Sequence, residues 1–153
     1  MAQTMVNYAE EQDHNGYFDP KDEIDARHRV ATEIVRRRGQ PQFRQKLLKA
    51  YQKKCAISST SVEQTLEAAH ILPYMGDHTN HITNGLLLRS DLHTLFDLGL
   101  IAINPDSMHV VISPDLIDTV YGEFSGKHLR LPEDEKDRPD REGLSRHRRN
   151  SGL

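Results

Sequence analysis

Residues 66–99, "LEAAHILPYMGDHTNHITNGLLLRSDLHTLFDLG", are the stretch whose reading decides the fold. The opening "LEAAHI" is a short apolar run that reads as a strand, stopped by Pro73 and carrying His70 at its edge. An imidazole there serves as a packed core residue, a metal ligand or a proton acceptor held on a rigid element. A loop of Gly, Asp, His, Thr and Asn follows over residues 72–84. Next, "NGLLLRSDLHTLFDLG" predicts a helix of about two turns, with Ser90 or Asp91 as N-cap and Gly99 just past its end. On that helix His93 and Asp97 stand four residues apart and share one face. Imidazole nitrogen with carboxylate oxygen suits Mg²⁺, Mn²⁺, Zn²⁺ or Ni²⁺ rather than a thiolate site.

Working outward, "CAIS" (55–58) and the run 65–71 read as a hairpin joined through "STSVEQ", so the centre of the chain is predicted as strand, strand, loop, short helix. Before it, Phe43, Leu47, Leu48 and Tyr51 line one face of a helix begun by Pro41. Ile24, Val30, Ile34 and Val35 mark an earlier helix over Asp22–Arg37, stopped by Gly39. After the centre, "LIAI" and "HVVIS" predict two strands around the turn "NPDS". "SPDLIDTVY" then predicts a helix capped by Ser113 with Pro114 at its first position. The fold class is α+β, with a core over about 54–99 inside a domain over 20–131. A flexible acidic arm over 1–19 precedes that domain, and a charged tail over 132–153 follows it.

The 153 residues fit one domain and hold a single cysteine, Cys55, which excludes a disulfide framework and a zinc site built from paired CxxC motifs. A mean hydropathy of −0.70 predicts that the ends of the chain do not pack. With no leader pattern and no membrane-length apolar run, the expected location is the cytoplasm and no membrane partner is expected. The net charge of −3 hides an asymmetry: residues 27–54 carry ten Lys/Arg against Glu33 alone. Such a run is a solvated helix face or a contact for a polyanion.

His70, Asn84 and His93, in "AAHILPY", "NGLLL" and "LHTLFDLG", resemble the signature residues of the HNH endonuclease family, and the likeness extends over about residues 20–131. It implies a ββα-metal core, here with an N-terminal amphipathic basic helix and an additional C-terminal β-hairpin and helix. It also implies a divalent cation, Mg²⁺ or Mn²⁺ before Ni²⁺ or Zn²⁺, and hydrolysis of DNA to a 5′ phosphate and a 3′ hydroxyl. By resemblance His70 is the general base, Asn84 the residue that braces the loop and orients that base, His93 a metal ligand and Asp97 a second one. Many members place Asp or His immediately before the base, whereas this chain has Ala69, so His70 itself could complete the metal shell. Arg36, Arg37, Arg38, Arg44, Lys53, Lys54 and Arg89 become candidates for DNA phosphates. Glu67 reads as a solvent-facing strand carboxylate before a group in the metal's outer shell, and His78 and His81 as solvated loop residues before contacts to metal or phosphate. Cutting both strands calls for a homodimer, and with no base-reading domain in the sequence, specificity is low or comes from an additional specificity partner, a further domain or the shape of the nucleic acid. The alternative reading is a nucleic-acid-binding or regulatory module that keeps the fold with weak catalysis.

Overall fold

The computed structural model describes residues 23–153, so the arm expected over 1–19 lies outside the described residues. The chain divides into two compact units between Arg37 and Arg38. In the first, helix α1 (Glu23–Arg37) has Glu23 and Asp25 in its first turn and Arg36 and Arg37 in its last, each sign matching the helix dipole at that end. Its ion pairs are local, Arg27–Glu23 at 2.6 Å and Arg36–Glu33 at 3.2 Å.

The second unit opens with helix α2 (Pro41–Ala50), where Pro41 occupies the first turn and the Gln40 side chain accepts from the Phe43 amide, satisfying an amide that has no partner inside the helix. Phe43, Leu47, Leu48 and Tyr51 are buried as the amphipathic pattern predicts. Gly39 sits at φ +104°, and a Cβ there would approach the Ala68 Cβ to 2.9 Å. That close approach lets the Ala68 amide donate to the Arg38 carbonyl at 2.8 Å.

The hairpin is not the expected one. Its strands are β1 (Leu66–His70) and β2 (Gly85–Arg89), antiparallel, with Leu66 facing Arg89 and His70 facing Gly85. Residues 55–58 form a turn instead of a strand: the Cys55 amide donates to the Thr60 carbonyl, and the Cys55 sulfur accepts from the Ser58 and Arg89 amides. Gln52, Lys53 and Ser59 hold positive φ, which breaks extended structure around that short apolar run. The order is therefore strand, loop, strand, helix, with helix α3 spanning Ser90–Asp97.

Strand alternation puts Ala68, His70, Gly85 and Leu87 on the hairpin face toward α2, and Glu67, Ala69, Leu86 and Leu88 on the face toward α3. Both faces are covered, which is why β1 and β2 read as continuous apolar runs instead of alternating ones. Gly85 is required by space: a Cβ would come within 2.7 Å of the Phe43 ring and 2.9 Å of a Leu47 methyl. Gly85→Ala should destabilise the protein by about 1–3 kcal/mol through overpacking, read as a lower urea midpoint at unchanged slope. An unchanged midpoint would mean that Phe43 and Leu47 yield freely.

Strands β3 (Ile101–Ile103) and β4 (Val110–Ile112) form the second hairpin, whose turn is fixed by Asn104 Oδ1 accepting from the Asp106 and Ser107 amides. The helix expected after it is instead two 3₁₀ stretches, Pro114–Leu116 and Val120–Phe124. Residues 132–153 are also more than a charged tail. Helix α4 (Arg141–Ser151) is capped by Asp140 at the Gly143 amide, buries Leu144 and packs on β3. Its mostly polar sequence leaves Leu144 and His147 as packing points, too few for a legible stripe. Among the described residues no helix is long and apolar enough to cross a membrane.

Candidate active site

His70 ends β1 half-buried, its ring stacked on Phe43 at 4.7 Å between centroids and tilted against Tyr74 at 5.8 Å. Nε2 lies 2.7 Å from Asn80 Oδ1. An amide oxygen only accepts, so Nε2 carries the hydrogen in this bond, and Nδ1 is the ring nitrogen that can take up or give a proton. The residue that orients His70 is therefore Asn80, not Asn84. The sequence offered one signal for it, an asparagine in the polar loop directly after the strand.

Asn84 clasps that loop. Its Oδ1 accepts from the Leu72 amide at 3.0 Å, while Nδ2 donates to the carbonyls of Leu72 at 3.1 Å and Thr79 at 3.0 Å. The Asn84 carbonyl also accepts from the Ile71 amide. Among the loop histidines, His78 is exposed, and His81 Nδ1 accepts from the Thr83 amide at the start of the short turn Ile82–Asn84.

On the other face of the hairpin, Glu67 is buried with 5% exposure instead of facing solvent. Its Oε1 accepts from His93 Nδ1 at 2.7 Å. The other imidazole nitrogen, Nε2, is 3.2 Å from Asp97 Oδ2, one helical turn on. With the Nδ1 hydrogen pointing to Glu67, a deprotonated Nε2 and the exposed Asp97 carboxylate would form a nitrogen–oxygen donor pair. Their separation matches two neighbouring ligands on one cation with bonds of roughly 2.1 Å. His93 and Asp97 are the residues that would hold a divalent cation, one by nitrogen and one by oxygen.

Among the described residues, no group of three or more His, Cys, Asp and Glu side chains forms a metal cluster. His70 is accordingly not a third metal ligand beside His93 and Asp97, because the period-two alternation of β1 turns it away from Glu67, the residue that meets His93. Ala69 is fully buried and contributes no donor.

Several basic candidates prove to be structural. Arg44 donates to the carbonyls of Leu66 and Glu63 at 3.0 and 2.8 Å, and Arg38 to that of Gln64 at 3.3 Å, so both clamp the approach to β1. Arg89 makes two bonds to Asp91, which also accepts from the Tyr121 hydroxyl at 2.8 Å. Burial alone would raise the Asp91 carboxyl, but the hydrogen bonds from Arg89 and Tyr121 hold it below the usual range. Arg36, Arg37, Lys53 and Lys54 are exposed. The Lys53–Glu63 pair, at 3.9 Å and open to water, is weak enough to exchange for a phosphate.

A half-buried imidazole at the end of β1 and a histidine–carboxylate pair on α3, the helix after a two-stranded hairpin, give this part of the chain a ββα arrangement. Residues 55–104 match the family model described as HNH endonuclease. Among solved structures the chain is similar to a modification-dependent TagI restriction endonuclease, at 19% identity and a TM-score of 0.49, covering 69% of this chain and 35% of that one. It thus spans about a third of that protein's length, 35%. No curated protein matches.

Proposed function

We propose that the protein is a metal-dependent endonuclease that hydrolyses phosphodiester bonds in DNA. The observation that carries this reading is the His70–Asn80 hydrogen bond, at 2.7 Å, which engages Nε2 and leaves Nδ1 as the nitrogen to take a proton from water. His70 Nδ1 accepts that proton as the water attacks phosphorus, Phe43 and Asn80 keep the ring oriented, and Asn84 keeps the loop closed around it. His93 Nε2 and Asp97 hold the cation, Mg²⁺ or Mn²⁺ by donor type and Ni²⁺ or Zn²⁺ as substitutes. When bound, such an ion stabilises the charge that builds on the phosphate and on the departing oxygen. Arg36, Arg37, Lys53 and Lys54 attract the DNA backbone without reading its sequence. One such site cuts one strand at a time, so cutting both calls for a homodimer or a second protein.

Ala69 favours a second reading, a nucleic-acid-binding module of weak catalysis, because the strand supplies no metal donor at that position. Incubation with supercoiled plasmid in EDTA, Mg²⁺, Mn²⁺, Ni²⁺ or Zn²⁺ separates the two. The nuclease should yield nicked or linear DNA in at least one metal and none in EDTA. Plasmid that is bound but intact in every metal would establish the binding module, and cleavage in EDTA would remove the cation from the mechanism.

A further inference from the structure

Glu67 is a buried carboxylate for which base chemistry and metal binding leave no direct task. It lies on β1 among Leu66, Ala68 and Ala69, all at 3% exposure or less, and is itself 5% exposed. A carboxylate so placed is costly unless it is hydrogen-bonded, and an apolar residue would complete this run of the strand at lower cost. Its Oε1 instead meets His93 Nδ1 at 2.7 Å, with both side chains about equally buried. Arg44, anchored on the Leu66 carbonyl, adds a favourable charge interaction nearby. A free neutral imidazole exchanges its hydrogen between two nitrogens; a carboxylate at Nδ1 holds it there and fixes the plane of the ring. In the neutral ring the nitrogen left with the lone pair is then Nε2, which lies 3.2 Å from Asp97 Oδ2.

We propose that Glu67 is a positioning residue which fixes the tautomer and ring plane of His93, so that Nε2 and Asp97 are aligned for the cation before it arrives. The proposal rests on His93 being the metal ligand of the nuclease reading. Through Glu67 the carboxylate that the strand does not offer at Ala69 still acts on the metal, one residue type removed and from behind the imidazole.

Two measurements on the full chain test it. In metal-free protein, long-range ¹H–¹⁵N spectra should find the His93 hydrogen on Nδ1, and Glu67→Ala should move it toward Nε2. Ni²⁺ alone, titrated calorimetrically, should bind Glu67→Ala roughly 10–100-fold more weakly than wild type. Glu67→Gln should fall between, since its amide oxygen can still accept from Nδ1; being nearly isosteric, it also serves if the alanine variant does not fold. Loss of stability alone would move neither reading in the folded variants. A hydrogen that stays on Nδ1 in Glu67→Ala, with wild-type Ni²⁺ affinity, overturns the proposal. Wild type that binds no Ni²⁺, while the tautomer still shifts on substitution, supports the hold of Glu67 on His93 and overturns the metal reading instead.

Discussion

His70→Ala should abolish plasmid cleavage while leaving the fold and DNA binding in place. General-base catalysis is worth roughly 10²–10⁴-fold in rate, and the missing nitrogen cannot be replaced from the same element, since the neighbouring residues Ala69 and Ile71 carry no base. The cavity left against Phe43 is partly open, because His70 is only half-buried, so circular dichroism and the affinity for plasmid in EDTA should be nearly unchanged. Asn80→Ala should lose less, because it frees the ring to rotate without removing its basicity. Full activity in a clean His70→Ala preparation would sink the assignment of the base.

The second large effect is expected at His93, where one substitution touches both metal and core. His93→Ala removes the Nε2 donor, so cleavage should fall to background and Ni²⁺ binding should weaken. It also deprives the buried Glu67 carboxylate of its 2.7 Å donor, a loss worth about 1–3 kcal/mol and visible in urea unfolding. His93→Asn separates the two roles. Its amide can donate to Glu67 and recover much of the stability, but it supplies no imidazole nitrogen to a cation, so cleavage should stay at background. A His93→Asn protein with wild-type activity would place the cation elsewhere.

The parts of this molecule that were legible in its sequence are those where one local force dominates. Helix α2 follows from Pro41 and the stripe of Phe43, Leu47 and Leu48, and α3 ends where Gly99 at φ +72° allows. The β1–β2 pairing was hidden because both faces of the hairpin are covered: Leu86–Leu88 show no alternation, and the equally apolar 55–58 competed for the role of partner. Individual site residues were legible by type and not by contact. Glu67, Asn80 and Arg44 act through partners 26, 10 and 22 positions away, separations that no local period encodes. Charge misled in the same way, since Arg38 and Arg44 in the basic run and Arg89 outside it look alike whether they face phosphate, a carbonyl or a carboxylate.

The Asn84 clasp bears on how such a nuclease could change its target. The amide ties Leu72 to Thr79 and closes the segment at its base, so the chain between Tyr74 and Thr79 is a tethered tip above a fixed ring. The entropy of closing a loop grows only with the logarithm of its length, about 0.6 kcal/mol for each doubling. Residues inserted beside Met75, which is 76% exposed, would therefore cost little and leave His70 where it is. Descendants of this chain could vary the length and chemistry of the tip, and with it the groove or base it meets, while the cutting chemistry below stays unaltered.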